Sequence, residues 1–373
     1  MRQPFNNLQI LLAFLLMLVI YVVYVIVQDT EPNEQLLIRS LQAELRVINE
    51  TLYQHQTTST TTSVPVVDGD IYHLLDVQAN EEDLHQGNNI FFILTTLTKD
   101  GTIHLTPRQA CAIESAARAN PDWRVFPLFV FARWFNTTAD PYISALLRFC
   151  NIRLRRVNLD TFAFGSPVEK LFAEGALKQS SYIVEHTADV LRILTLYKYG
   201  GTYLDTDVLV RKTFNKMQPN YLGSEGSGYV ANGVINLEAT GFGHQFAEAC
   251  LNDLAQHFDG KQWAANGPFM VTRNLQTFCN TTDITKMARE QCGGQLTVYP
   301  PDWFYRIRYP RHAWFFYPEH SDEVMNSTKD DVLVHMWNKA TSGIQLKINS
   351  TAAYIQLANQ FCPNVLMQTA ENF

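Results

Sequence analysis

Leu196 to Val210 read "LYKYGGTYLDTDVLV": the end of an apolar helix, a glycine pair, and an apolar strand with two carboxylates, Asp205 and Asp207, set inside it. The preceding "TADVLRILTLYKYGG" has helical periodicity, with Thr187 as its N-cap and Gly200–Gly201 as its stop. "TYLDTDVLV" then reads as one strand, on which residues two apart share a face at about 6.5 Å. Asp205 and Asp207 fall on one face, Thr206 and Val208 on the other. Two carboxylates in an apolar run repel each other and are costly to bury unless a cation or a proton lies between them. A hard divalent cation with oxygen ligands is the natural counter-charge, and it keeps positions open for a substrate diphosphate. Asp189 and Arg192 stand at i, i+3 on the preceding helix, so an arginine on that helix is available to a diphosphate or to the carboxylates. The same residues also read as a plain helix ion pair, and the aspartates as exposed groups capping a turn. A phosphatase motif of the D-x-D-x-T type is disfavoured by Leu209 at its fifth position.

Strand and helix signals alternate upstream of this stretch. "NIFFILTT" from Asn89 reads as a buried strand, and "TPRQACAIESAARANP" from Thr106 as a helix with a capped start and a proline stop. "WRVFPLFVF" is the next strand, and "NIRLRRVNLD" a short strand plus loop. The alternation predicts an α/β domain with a single, mainly parallel sheet. Beyond residue 220 the pattern is turn-rich and less regular.

The 373 residues carry a net charge of -7, which argues against nucleic-acid binding and its basic patches. Ile10 to Val27 form an uncharged apolar run of 18 residues, roughly 27 Å as a helix and so close to a bilayer core. Asp29, Glu31 and Glu34 follow it; Arg2 and the amino terminus before it favour a cytosolic N-terminus, with the remainder lumenal, since the positive-inside rule counts only Lys and Arg. The run is longer than the core of a cleaved signal peptide and lacks a small-residue cleavage site. The expected organisation is a tail at 1–9, a transmembrane signal anchor at 10–27, a stem at 28–87 and a catalytic domain at 88–373. The stem contains the polar run "TTSTTTS", Thr57 to Ser63, which suits a spacer and reads equally as an ordinary loop. Six cysteines, Cys111, Cys150, Cys250, Cys279, Cys292 and Cys362, suit an oxidising lumen, and their pairing is open among 15 connectivities. Glycosylation acceptors stand at Asn49, Asn136, Asn280, Asn326 and Asn349.

The longer string "ADVLRILTLYKYGGTYLDTD" resembles the D-x-x-R…G-G-x-Y-x-D-x-D signature of retaining glycosyltransferases of the GT-A fold. "CAIESAARANP" from Cys111, "GPFMVTR" from Gly267, "FYRIRYPRHAWFFYPE" from Phe304 and "VHMWNKAT" from Val334 narrow the likeness to the animal α1,4-glycosyltransferases, over roughly residues 88 to 365. The resemblance implies a Golgi membrane enzyme, single-pass type II, with its catalytic domain in the lumen. It further implies a UDP-sugar donor, Mn²⁺ and a glycosphingolipid acceptor, with galactose or N-acetylgalactosamine moved in α1,4 linkage. Transfer of N-acetylglucosamine to a protein glycan, and a non-catalytic glycan-binding or chaperone homologue, are the alternatives.

Carried over by position, Thr95 and Thr96 would cradle uridine, and Asp189 and Arg192 would contact the donor ribose, sugar or diphosphate. Asp205 would bind donor and metal, Asp207 and His335 would be metal ligands, and Asn232 would lie near the donor sugar. Trp337, Asn338 and Lys339 would close over the diphosphate. Where galactosyltransferases of the family read H-Q-G-P-Q, this chain has "ANGPF", so that Asn266, a catalytic candidate, and Phe269 replace two glutamines facing the reacting sugar and acceptor. The aromatic run Tyr309 to Pro318 reads as an acceptor platform or as core.

Overall fold

The computed structural model describes residues 66–373 apart from 69–70, 80–83, 85–86, 97, 99 and 227. The apolar run 10–27, the polar run 57–63 and Asn49 lie outside the described residues. Among the described residues no helix is long and apolar enough to cross a membrane. The compact unit takes in described residues from the stretch 28–87 read as stem. The reason is local: Leu74, Val77 and Leu84 of the expected stem are buried in the core, and Ile71–His73 is hydrogen-bonded as a strand against Trp134–Asn136.

In chain order the strands are β1 (Val66–Asp68), β2 (Ile71–His73), β3 (Asn89–Leu94), β4 (Arg124–Phe129), β5 (Trp134–Asn136) and β6 (Arg155–Arg156). They continue with β7 (Gly201–Leu204), β8 (Val208–Val210), β9 (Tyr221–Ser224), β10 (Val230–Leu237), β11 (Thr297–Tyr299) and β12 (Leu333–His335). The main sheet runs β11-β9-β10-β7-β3-β4-β6. Strands β7, β3, β4 and β6 are parallel neighbours, while β10 is antiparallel to both β7 and β9. The α/β class with a mainly parallel sheet is thus borne out. β3 is buried along its whole length: Ile90, Phe92 and Leu94 pack into one core layer, and Phe91 and Ile93 into the other. A continuous apolar run is what a parallel strand covered on both faces requires.

The helix at Pro107–Ala119 (α1) has the expected start, with Thr106 and Gln109 forming a reciprocal capping box. The helix before the glycine pair (α2) runs Ile183–Tyr199 and so begins four residues before the expected cap. Thr187 lies inside it, buried. Packing overrides the local signal here. His186 is fully buried, edge-on to Tyr182 and Phe258, with its ring nitrogens 2.7 Å from Ser180 Oγ and 3.3 Å from the Trp263 carbonyl.

"TYLDTDVLV" is not one strand. β7 stops at Leu204, Asp205 to Asp207 form a turn, and β8 leaves the main sheet to pair with β12. The chain changes partners at the carboxylates: the Asp205 amide donates to the Gly233 carbonyl, and the Asp207 carbonyl accepts from the Met336 amide. Four of the six cysteines form two disulfides, Cys111–Cys362 and Cys279–Cys292. Cys150 is free and exposed, Cys250 free and buried.

Candidate functional site

β3 leads through α1 to β4 on one side, while β7 joins β3 on the other. At such a reversal of strand order the carboxyl ends diverge and leave a crevice for ligands. Thr95, buried, and Thr96, exposed, follow β3 at this edge, and Asp205 follows β7. Gly201 has φ +93° and a side chain there would strike the Asn89 carbonyl at 2.7 Å, so the tight entry into β7 needs glycine.

Arg192 joins α2 to the crevice. Its guanidinium lies 3.0 Å from Asp189 Oδ1 and 3.1 Å from Asp205 Oδ1, and it donates to the Asn232 carbonyl at 2.7 Å. It also sits 4.6 Å from the centre of the Tyr203 ring. The Asn232 amide donates to Asp189 Oδ1 at 2.8 Å, which closes the network. This is a buried, cross-bonded assembly and not an isolated helix ion pair.

His335 arrives through the ribbon of β8 and β12, opposite Val208. Its Nε2 is 3.2 Å from Asp207 Oδ1 and 3.8 Å from Asp205 Oδ2. One ligand atom from each of Asp205, Asp207 and His335 lies within 4.8 Å of the others. The second Asp207 oxygen accepts from the Asn338 amide at 2.6 Å. Burial opposes ionisation of Asp205, but Arg192 and His335 outweigh it and hold the carboxyl at about 2. Burial and the neighbouring Asp205 charge push Asp207 up. Burial works against charging His335, yet the two carboxylates raise it overall. Two carboxylates and an imidazole converging in this way fit a divalent first-row cation.

The remaining expected residues divide. Trp337 adopts a left-handed conformation (φ +57°) and donates its indole N–H to the Ile307 carbonyl at 2.8 Å. Asn338 reaches the site through its main chain. Lys339 is held at the rim by Glu185. Asn266 does not face the crevice: it is 1% exposed, with both ends of its carboxamide bonded to the Asp259 backbone at 2.9 and 2.7 Å. Its neighbour Gly267 makes the close approach instead, for a Cβ there would lie 2.3 Å from Asn232 Nδ2 and 2.8 Å from Asp189 Oδ1. The aromatic run is split, with Phe315 and Phe316 in the core and Tyr309 and Tyr317 exposed. Asn280, Asn326 and Asn349 are exposed and Asn136 is half-buried.

The sequence reading passed over Tyr203, whose hydroxyl donates to Asp205 Oδ1 at 2.5 Å. Its place two residues before Asp205 was the available signal. It also passed over Tyr305, whose ring lies 5.3 Å from that of His335. No spacing in the chain points to that contact.

Residues 106–223 match the model of a glycosyltransferase sugar-binding region containing the DXD motif, and residues 239–369 match the alpha 1,4-glycosyltransferase conserved region. The chain is 32% identical over 282 residues to lactosylceramide 4-alpha-galactosyltransferase of Rattus norvegicus, covering 74% of each chain. It is 24% identical over 262 residues to alpha-1,4-N-acetylglucosaminyltransferase of Homo sapiens, covering 68% of this chain and 74% of the relative.

Proposed function

The chain belongs to the α1,4-glycosyltransferase family, and on that footing we propose that it is a retaining, metal-dependent enzyme. It moves galactose or N-acetylgalactosamine from a UDP-sugar, in α1,4 linkage, to the terminal sugar of a glycosphingolipid. The observation that carries this reading is the convergence of Asp205, Asp207 and His335 beside Arg192 at the sheet's switch point. A glycolipid acceptor accords with a run at 10–27 that would anchor the enzyme in the Golgi membrane and with exposed acceptor asparagines facing a lumen.

Asp205, Asp207 and His335 would hold Mn²⁺, which supplies Lewis-acid neutralisation of the diphosphate leaving group. Thr95 and Thr96 flank the nucleoside end of the crevice, and Asp189, Arg192 and Asn232 orient the donor. Lys339, on the segment that follows His335, adds positive charge toward the β-phosphate. Asp189, the carboxylate against Gly267, is held by Arg192 and Asn232 through Oδ1, as suits a group that orients the donor. The reading adopted is attack from the same face. The acceptor hydroxyl oxygen bonds to the anomeric carbon as the bond to the phosphate oxygen breaks, and its proton passes to that oxygen on the departing UDP.

The test uses the full chain in detergent with Mn²⁺, a panel of UDP-sugars and glycolipid acceptors, reading UDP release and the linkage formed. Transfer from one donor, abolished by Asp207→Ala and by a chelator, is the expected result. Transfer that survives both treatments, or accumulation of a glycosyl-enzyme adduct on a carboxylate, would sink the metal role or the same-face mechanism respectively.

A further inference from the structure

Tyr305 is a fully packed phenol with an unused hydroxyl. Its side chain is 2% exposed, and Oη has no hydrogen-bond partner among the described residues. A buried hydroxyl without a partner disfavours the folded state, and a phenylalanine would fill the same space without that cost.

The surrounding backbone is carved to admit this ring. A Cβ on Gly223 of β9 would lie 2.8 Å from Tyr305 Cε2 and 2.5 Å from Phe304 Cδ2. A Cβ on Gly233 of β10 would lie 3.2 Å from Tyr305 Oη and 2.7 Å from Asp205 Oδ2. One methyl group at Gly233 would touch both the phenol oxygen and the Asp205 carboxylate, so both groups lie beside this glycine. The ring also lies 5.3 Å from His335 and 5.8 Å from Trp337. Tyr203 offers a contrast: it too reaches Asp205, but its hydroxyl is satisfied there. Asp205 Oδ1 already accepts from Arg192 and Tyr203, whereas Oδ2 looks toward His335 and Gly233.

We propose that Tyr305 is a donor-positioning residue whose hydroxyl hydrogen-bonds an oxygen of the bound nucleotide sugar, on the diphosphate or on the sugar. The proposal rests on the reading of this crevice as a UDP-sugar site. It explains why two strands carry glycine where the ring passes, and why a hydroxyl is kept at a position whose packing needs only a ring.

Tyr305→Phe in the full-length protein tests it, by calorimetric titration with Mn²⁺ alone, with Mn²⁺ and UDP, and with Mn²⁺ and UDP-hexose. The ligand-free variant is expected to melt at or above the wild-type temperature, and Tyr203→Phe, which loses a made bond, below it. Mn²⁺ affinity is unchanged, and UDP-hexose affinity falls roughly tenfold, the scale of one hydrogen bond. An equal loss for UDP assigns the bond to the diphosphate; a loss confined to UDP-hexose assigns it to the sugar. Unchanged affinity for both ligands overturns the proposal. So does a lowered melting temperature of ligand-free Tyr305→Phe, which would show a partner in the resting protein, or a weakening of Mn²⁺ alone by the same factor. Wild-type protein that binds neither Mn²⁺ nor UDP would instead remove the donor-site reading itself.

Discussion

Replacing Arg192 by lysine keeps the charge and removes the planar fork, so it separates electrostatics from geometry. Arg192 is 6% exposed and serves Asp189 Oδ1, Asp205 Oδ1 and the Asn232 carbonyl at 3.0, 3.1 and 2.7 Å. A lysine ammonium is a single point on a flexible stem and cannot span two carboxylates that approach the guanidinium from the helix and from the turn. Two charge-assisted bonds would be lost or stretched, each contributing about 1.5–3 kcal/mol. Retained charge offsets part of this, leaving a loss of about 3 kcal/mol. For a domain of this size that lowers Tm by roughly 5 °C. Asp205 would also lose its fixed rotamer, and kcat/KM should fall at least about tenfold. The assay is a thermal melt monitored by circular dichroism, followed by UDP-release kinetics on the same preparation. A variant that melts within about 2 °C of wild type and keeps its kcat/KM would refute the idea that this fork organises the site. Restoring the melt by adding Asp189→Asn, which removes one of the unmet charges, would confirm the assignment of the cost.

Three further outcomes are expected. Gly267→Ala places a methyl 2.3 Å from Asn232 Nδ2 and should break the Asn232–Asp189 bond, losing about 2–4 kcal/mol in denaturant titration along with donor affinity; wild-type behaviour would show that the loop yields. Burial, only partly offset by Arg306, pushes Asp331 up to about 6. Its folded form holds the proton more tightly, so this contribution is fully present below about pH 4 and is lost as pH rises through about 6. After a discount for partial solvent screening it amounts to about 2 kcal/mol, and Asp331→Asn should flatten the dependence of unfolding free energy on pH over that window by the same amount. Cys111–Cys362 closes a separation of 251 residues and Cys279–Cys292 one of 13, so Cys111→Ala should lower stability by about 5 kcal/mol and Cys279→Ala by about 3; a reversed order in guanidinium unfolding would show that native-state effects dominate over loop closure.

Much of the site was legible because it is local. Asp189 and Arg192 are one helical turn apart, and the glycine pair that ends the helix delivers the chain directly to Asp205 and Asp207. Where local signals misled, a long-range contact had the larger energy. Thr187 resembles a cap, yet buried His186 draws the helix start back to Ile183. Asn266 stands where a reacting group was expected, yet the Asp259 backbone engages both ends of its carboxamide.

The apolar run of β3, the capped start of α1 and the alternation of the two periodicities determined an α/β chain with a mainly parallel sheet, since burial on both faces dictates composition strand by strand. The D-x-D spacing determined that two carboxylates would need a counter-charge, because their repulsion is a property of the chain wherever it folds. Which groups answer that need was decided by tertiary structure. Asp205 and Asp207 share no strand face; a turn brings them together, and the antiparallel register of β8 with β12 sets His335 opposite Val208, more than a hundred residues away. Tyr305 reaches the same point only because Gly223 and Gly233, on neighbouring strands, leave a slot for its ring. Such matches depend on cross-strand register, and register is a property of the assembled sheet that no single stretch of the chain encodes.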